Sequence, residues 1–211
     1  MESKRRGGLE QARAEGLEIL AQAGINLVGD DGEPGVRAEA MRVARRLEAS
    51  QMRSFGMVPI NDRAAVPPVA IQLGVALMDL SGATVAYVDA NTHWPALPVG
   101  GEASLESALD DSPFALRWLF QSLALVVPRS ATAAGDAVPK LQWALSDGGQ
   151  LFKYILVDLT GFELLGERDA ALALVDGVIL VAHPRQTRER EILRARDELD
   201  PDRVLGALLV G

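Results

Sequence analysis

The segment Ala70–Leu97, AIQLGVALMDLSGATVAYVDANTHWPAL, joins a helical pattern to a strand that is followed by polar side chains. Apolar spacing predicts a helix over Pro67–Leu80, whose prolines fall in the first turn, where a helix tolerates them. A run rich in β-branched residues predicts a strand over Ala83–Val88. Asp89 and Asn91 come directly after it. The segment therefore predicts a helix that leads into a strand with polar groups at its carboxyl end.

The rest of the chain alternates apolar strands and helices in the same way. Further strands are predicted at Phe55–Ile60, Leu123–Val127, Tyr154–Val157, Gly177–Ala182 and Val204–Val210. Further helices are predicted at Gly8–Ala23, Val36–Arg53, Ser104–Gln121 (in two pieces), Val138–Ser146, Glu167–Leu174 and Thr187–Leu199. Strands that are apolar on both faces and alternate with helices are typical of a parallel sheet covered on two sides. The predicted fold is therefore a three-layer α/β domain with a mostly parallel sheet.

One turn-rich stretch divides the chain near its amino end. Asn26–Gly35, NLVGDDGEPG, carries the glycine, asparagine and aspartate residues that favour turns. We predict an N-terminal helical extension and loop over residues 1–35 and the α/β domain over residues 36–211. A chain of 211 residues is long enough for one such domain.

Composition excludes several classes of function. With 21 basic and 29 acidic residues the net charge is −8, which disfavours a nucleic-acid or anionic-membrane binder. The chain has no cysteine, so disulfides, thiol catalysis and cysteine-ligated metals are excluded. Its two histidines, His93 and His183, lack the spacing of metal ligands. No apolar run reaches the roughly 18 residues of a membrane span, and we expect a cytoplasmic protein.

Four segments together resemble a known superclass. Ala70–Leu97, quoted above, and the later stretches YILVDLTGF, ALALVDGVILVA and VLGALLVG are similar to deviant P-loop ATPases of the MinD/ParA type. The subgroup they resemble most is the cytoplasmic bacterial tyrosine kinases of capsule and exopolysaccharide export. Glu39, Arg42 and Arg45 match the ExxRxxR helix that packs neighbouring protomers of that family into a ring. The resemblance covers Val36–Gly211 and implies a P-loop NTPase-like fold.

The resemblance places the phosphate-binding loop, Walker A, just before the helix that opens at Pro67. A working loop needs glycines for a close backbone approach, a lysine for the β- and γ-phosphates, and a hydroxyl for magnesium. The positions of the two glycines, the lysine, the serine and the threonine hold Arg63, Ala65, Val66, Pro67 and Pro68. Proline also has no N–H to donate to a phosphate. We therefore expect that the protein binds no cofactor. It would bind ATP and magnesium only under the alternative that it is an active enzyme.

The resemblance assigns relic positions to two aspartates. Asp89 matches the first aspartate of the family's DxD motif, Asn91 replaces the second, and Asp158 stands at the Walker B position. A simpler reading is that strand-end aspartates cap the turns that follow them. His93 and Trp94 replace a pair of arginines, and they either dock a partner or pack within their own loop.

The resulting hypothesis is a catalytically inactive pseudokinase or pseudo-ATPase that regulates polysaccharide export. It would form a homo-oligomer through Glu39, Arg42 and Arg45, although these residues also suit a solvated helix face. Its partner would be the cytoplasmic part of a membrane polysaccharide co-polymerase or an active kinase homologue, which would bring it to the inner membrane. The alternatives are a residual magnesium-nucleotide ATPase or tyrosine kinase, and a ParA/MinD-like positioning protein.

Overall fold

The computed structural model describes residues 14–22, 24–25, 34–61, 64–91, 95–97, 113–120, 122–129 and 135–209. Several sequence predictions lie outside these residues. They concern Arg63, His93, Trp94 and the first part of the helix predicted over Ser104–Gln121.

In the described residues, seven strands form one sheet with the spatial order β3-β4-β2-β5-β1-β6-β7. The strands are β1 (Ser54–Pro59), β2 (Val85–Asp89), β3 (Phe114–Phe120), β4 (Leu123–Pro128), β5 (Tyr154–Asp158), β6 (Gly177–Ala182) and β7 (Val204–Leu209). Neighbouring strands are parallel except β3 and β4, which are antiparallel. The mostly parallel sheet is thus confirmed.

Helices cover both faces of this sheet. They are α1 (residues 14–22), α2 (Pro34–Ser50), α3 (Val66–Ser81), α4 (Ala137–Leu151), α5 (Arg168–Leu174) and α6 (Glu189–Asp197). One core cluster joins α1, α2 and α3 to the sheet, and a second joins α4, α5 and α6 to the opposite face. The three-layer α/β architecture is therefore confirmed. No helix in the described ranges has both the length and the apolar character needed to cross a bilayer.

Helix α3 lies close against the middle of the sheet. Leu73 and Leu77 are buried beneath it, and a Cβ at Gly74 would lie only 2.9 Å from a methyl carbon of Leu123. The helix ends at Gly82, whose φ of +63° suits glycine and whose N–H donates to the Met78 carbonyl at 2.8 Å. This tight packing fixes where α3 begins, at the carboxyl edge of the sheet.

The prediction of a helix over Ser104–Gln121 is wrong for its described carboxyl part. Phe114–Phe120 is strand β3, which pairs antiparallel with β4 and places Leu116 opposite Val126. A seven-residue run with three aromatic residues favours an extended chain, and the ladder with β4 gives its backbone polar groups their partners.

Helix α1 packs against the edge strand β3. A Cβ at Gly16 would lie 2.1 Å from the Leu119 carbonyl oxygen, so only glycine permits this contact. Leu20 of α1 is fully buried in the first core cluster. The described part of the predicted N-terminal extension therefore lies against the α/β core, while the division into residues 1–35 and 36–211 remains a prediction.

Asp176 ties together the amino ends of β1 and β6. Its Oδ2 accepts hydrogen bonds of 2.9 Å from the backbone N–H groups of Arg53 and Ser54 and from the Ser54 hydroxyl. These bonds lower the pKa of Asp176, although its partial burial opposes them. The turn before β6 is thereby fixed against the first residues of β1.

Candidate functional site

Two carboxylates lie side by side at the carboxyl edge of the sheet. Asp89 ends β2, Asp158 ends β5, and the two residues are direct partners in the parallel register. Both are fully buried. Side chains in register on adjacent strands project to the same face. The two aspartates that the sequence resemblance singles out therefore lie together at one edge of the sheet.

Asp158 takes hydrogen bonds at both of its oxygens. The Tyr87 hydroxyl donates to Oδ2 at 2.9 Å, and the Thr160 N–H donates to Oδ1 at 2.8 Å. Burial raises the pKa of Asp158, and the hydrogen bonds from Thr160 and Tyr87 oppose that rise. Burial, and then the charges of Asp158 and Asp89, raise the pKa of Tyr87 well above its ordinary value. The Tyr87 phenol is therefore held neutral as a donor.

Asp89 is held by the loop that follows it. Its Oδ2 accepts the N–H groups of Ala96 at 2.7 Å and Leu97 at 3.0 Å, and its Oδ1 accepts the N–H of Asn91 at 3.3 Å. Burial, and then the neighbouring Asp158, raise the pKa of Asp89 to about 7 against the opposing effect of these bonds. The carboxylate thus caps its own loop, as the simpler interpretation of the sequence holds.

The loops after β2 and β5 touch each other. The buried side chain of Asn91 packs over Gly161, where a Cβ would lie 2.8 Å from the Asn91 Nδ2. Gly161 has a φ of +86°, a conformation that other residues adopt with strain. Sequence reasoning missed both Gly161 and Tyr87 as parts of this site. A signal for Tyr87 was present, because it lies two residues before Asp89 and so shares its face.

The predicted phosphate loop leads into the start of α3. Val66, which the sequence resemblance places at the position of the family's lysine, is 1% exposed and belongs to the core. Pro67 and Pro68 lie in the first turn of the helix, and Ala65 caps it without a side-chain hydrogen bond. The two prolines leave this helix end without two of its N–H donors. Arg63 lies outside the described residues.

His183 follows β6 beside this loop. Its N–H donates to the Thr187 hydroxyl at 3.1 Å, and the Asn61 side-chain amide donates to the same oxygen at 3.2 Å. The His183 Nδ1 lies 2.6 Å from the Pro184 carbonyl oxygen. His183 therefore helps to order the loop after β6. Among the described residues, no hydrogen bond joins His183 or Thr187 to Asp89 or Asp158.

The predicted oligomer residues lie on the surface of α2. Glu39, Arg42 and Arg45 are all exposed. The Arg42 Nη2 and Nε lie 2.6 and 2.8 Å from the Glu39 Oε2, which forms an ion pair within the helix. Exposed pairs of this kind contribute little to the stability of a monomer. The arrangement leaves all three side chains accessible to another molecule.

The described residues place few charged side chains around the carboxylate pair. No group of three or more His, Asp or Glu side chains in those ranges could hold a metal ion. Within the same part of the chain, no lysine or arginine donates a hydrogen bond to Asp89 or Asp158. The pair is therefore neutralised neither by a metal cluster nor by a basic side chain that the structure describes.

A separate cleft of about 610 Å³ lies at the opposite, amino-terminal end of the strands. Its lining includes Met52, Thr84, Phe152 and Lys153. The Lys153 Nζ lies 5.0 Å from the centroid of the Tyr154 ring. Because this cleft faces away from the carboxyl edge, it does not enlarge the aspartate site.

Strand order, the helix that follows β1 and the aspartates that end β2 and β5 together describe the fold of this molecule. The chain has the fold of the deviant P-loop superclass, as the sequence resemblance predicted. No family model matches the sequence, and no curated protein matches it.

Several solved structures are similar to this chain. The BceF tyrosine kinase domain has a TM-score of 0.64 at 17% identity, with 94% of this chain and 90% of that chain covered. The kinase domain of the Escherichia coli tyrosine kinase ETK also has a TM-score of 0.64, at 14% identity over 83% of this chain and 74% of that one. A ParA family ATPase from Chlorobium tepidum has a TM-score of 0.51 at 19% identity, covering 75% and 73%. At these identities the likeness establishes the fold.

Proposed function

We propose that this protein is a catalytically inactive relative of the bacterial tyrosine kinases that acts as an oligomerising regulator or scaffold in capsule or exopolysaccharide export. The observation that carries the proposal is the start of α3. Val66, which the sequence resemblance aligns with the family's lysine, is buried in the core, and Pro67 and Pro68 follow it in the first turn.

Phosphoryl transfer depends on positioning and on electrostatic stabilisation of the phosphates. A buried valine offers no charge, and two prolines offer neither an N–H nor a hydroxyl. Each loss of about 1.4 kcal/mol of transition-state stabilisation slows a reaction tenfold. Losing the lysine, the donors and the magnesium ligand together would remove most of the rate. We therefore expect no bound nucleotide.

The tyrosines of the chain also favour an inactive role. Its two tyrosines, Tyr87 and Tyr154, lie inside strands, and Tyr154 is only 3% exposed while Tyr87 is fully buried. A kinase cannot bring a buried phenol into line with a phosphate without unfolding the strand that carries it. Self-phosphorylation on these residues is therefore not expected.

The proposed partners follow from the sequence resemblance and from the fold shared with the kinase domains of BceF and ETK. The protein would bind the cytoplasmic part of a membrane polysaccharide co-polymerase, or an active kinase homologue. Exposure of Glu39, Arg42 and Arg45 supports α2 as the contact between protomers. The fork between Arg42 and Glu39 would then open to pair across the interface.

Calorimetric titration with ATP and with ADP, each with magnesium, tests the inactive assignment. We expect no binding at millimolar nucleotide. The Val66→Lys variant should behave in the same way, because a single lysine restores neither the glycines nor the hydroxyl. Micromolar binding by the wild type would refute the assignment.

Gene deletion with complementation tests the biological role. Loss of the gene should impair polymer secretion, and the wild-type chain should restore it. Arg42→Ala should restore it poorly and should lower the oligomeric state in light scattering. Arg46→Ala, which removes a neighbouring exposed arginine on α2, is the matched control. Normal secretion in the deletion strain would show that the pathway is wrong.

One observation favours a second candidate, a residual magnesium-dependent ATPase. Asp89 and Asp158 remain adjacent at the strand ends, and a neighbouring subunit could supply the missing cation. Asp158→Asn would abolish the function of such an enzyme but spare a scaffold that still folds. A ParA-like positioning protein, the third alternative, would instead form a polar or midcell gradient in imaged cells.

A further inference from the structure

The fold implies magnesium and a nucleotide at the carboxyl ends of β2 and β5, and the residues of this chain do not fit them. We propose that Tyr87, Asp89 and Asp158 form a closed, hydrogen-bonded core cluster in which the Tyr87 hydroxyl takes the position that a metal-bound water would need on Asp158. The inference rests on the proposed inactive function and adds to it the residue that closes the site.

Asp158 is the first part of the evidence. A Walker B carboxylate binds magnesium through water, so it needs an oxygen that water can reach. In this structure the Asp158 Oδ2 accepts the Tyr87 hydroxyl at 2.9 Å, Oδ1 accepts the Thr160 N–H at 2.8 Å, and the residue is fully buried. A phenol is a neutral donor that supplies one hydrogen bond and, unlike water, cannot leave the protein. Asp158 is therefore satisfied from within the fold.

Asp89 is closed off in a different way. Three backbone N–H groups, those of Asn91, Ala96 and Leu97, donate to its two oxygens. A cation that binds Oδ2 would compete with the N–H groups of Ala96 and Leu97, which would then lose their acceptor, and one that binds Oδ1 would compete with the Asn91 N–H. Removing a partner from a buried polar group costs more than the bond itself contributes, so the loop opposes metal entry.

The charges of the pair agree with a closed cluster. In an active site a divalent cation compensates two adjacent carboxylates. Here no basic side chain of the described residues donates to either, and burial together with the mutual repulsion raises the pKa of Asp89. A retained proton lowers the negative charge of the pair without a cation.

Tyr87 occupies its position for a simple reason of strand geometry. It lies two residues before Asp89 in β2, on the face that Asp89 and Asp158 share, and its ring belongs to the core cluster beneath α3. The ring is buried in the core, while the hydroxyl extends toward the carboxyl ends of the strands and reaches the Asp158 carboxylate. Tyr87 is thus a positioning residue that fixes Asp158.

A double-mutant cycle tests the contact. Tyr87→Phe, Asp158→Asn and the double variant are unfolded in urea, and the non-additive part isolates the interaction between the two side chains. We expect a coupling of about tenfold in the unfolding equilibrium constant, the scale of a hydrogen bond to a charged group. The same cycle with Tyr154→Phe is the matched control and should be additive, because no hydrogen bond joins Tyr154 to Asp158. Additivity in the Tyr87 cycle would overturn the proposal.

Two measurements on the wild-type chain remain decisive even if a variant fails to fold. Proton NMR should show a slowly exchanging hydroxyl signal from Tyr87, and a hydroxyl that exchanges rapidly with water would contradict a closed site. Titration with MnCl₂, followed by electron paramagnetic resonance, should show no binding at millimolar metal. Micromolar Mn²⁺ binding would overturn the closed cluster. Normal polymer secretion after gene deletion would overturn the proposed function and leave the cluster standing, so the two failures are distinguishable.

Discussion

Replacing Asp89 by asparagine should change how the stability of the fold depends on pH. The folded chain raises the pKa of this carboxyl from 3.8 to about 7, first through burial and then through the charge of Asp158. Between those two pH values the folded state keeps a proton that the unfolded state has released. Stability from this group is therefore fully present below about pH 4, falls as the pH rises, and is lost above about pH 7.

The magnitude follows from the same two pKa values. A rise from 3.8 to about 7 is worth about 4 kcal/mol at about 1.4 kcal/mol for each pH unit. Because Asp89 is fully buried, solvent does not screen this cost in the folded state. The asparagine side chain of the variant carries no charge at any pH, so the variant lacks this loss. The wild type should therefore lose up to about 4 kcal/mol relative to Asp89→Asn between pH 4 and pH 7.5.

Urea unfolding followed by tryptophan fluorescence at half-unit pH steps measures the difference. Comparing the two chains cancels carboxylates remote from Asp89, such as Asp176, whose pKa is lowered in the fold and which titrates with the opposite sign. Asp202→Asn, which changes an exposed aspartate, is the control and should follow the wild type. The stability of the wild type minus that of Asp89→Asn should fall between pH 4 and pH 7.5. A difference that stays flat over this range would refute the reasoning, and so would one that rises with pH.

Four further results are expected. Gly161→Ala should destabilise the fold by about 1–3 kcal/mol in urea, because the backbone there has a positive φ and the new Cβ would meet a buried side chain. Gly149→Ala, in the α4 helix with open space around it, should instead stabilise by about 0.5–1 kcal/mol. Asp176→Ala should lower the free energy of unfolding by about 2 kcal/mol, because three hydrogen bonds are lost. The pKa of Asp176 is lowered in the fold, so this cost should be small in acid and should grow as the pH rises through the usual aspartate range. Cysteines placed at both Leu116 and Val126 should form a disulfide on oxidation, because the two residues are paired in antiparallel strands, and mass spectrometry that finds two free thiols would contradict the register.

The central strands could be predicted from sequence because they are short apolar runs bounded by turn residues. Tyr154–Asp158 and Gly177–Ala182 match their predictions within one residue. The adjacency of Asp89 and Asp158 could be foreseen as well, because parallel strands bring their carboxyl ends to one edge. The pattern of apolar runs thus predicts the strands of the sheet, and the parallel fold class predicts that the site lies at their carboxyl ends.

Other features depend on contacts between distant residues. Strand β3 is predicted as a helix, because a short, mostly apolar run does not distinguish a helix from a strand until β4 pairs with it. Helix α4 was predicted to end at Ser146 but continues to Leu151, where the Arg53 guanidinium donates to the Gly149 and Phe152 carbonyls. A side chain almost a hundred residues away caps that helix, and no local signal records it.

The chemistry of the site was the part least visible in sequence. The hydrogen bond from Tyr87 to Asp158 joins residues 71 positions apart and depends on the register of two strands. Gly161 is needed only because Asn91 packs over it. Both features become predictable once strand order and register are known, since neighbours across a sheet are then fixed.

The contact between Asp176 and the start of β1 has a consequence for how the protein is made. Ser54 and Asp176 are 122 residues apart, and β1 finds both of its sheet neighbours, β5 and β6, only in the last third of the chain. At about 5–20 residues per second, a ribosome that has just made β1 needs roughly 6–24 s more to reach Asp176. Throughout that interval the apolar segment of β1 lacks at least one of the strands that it pairs with in the folded sheet. The nascent chain is therefore a natural client for chaperones that hold exposed strands, and a chain cut short before β6 would have a strand β1 that lacks one of its two neighbours.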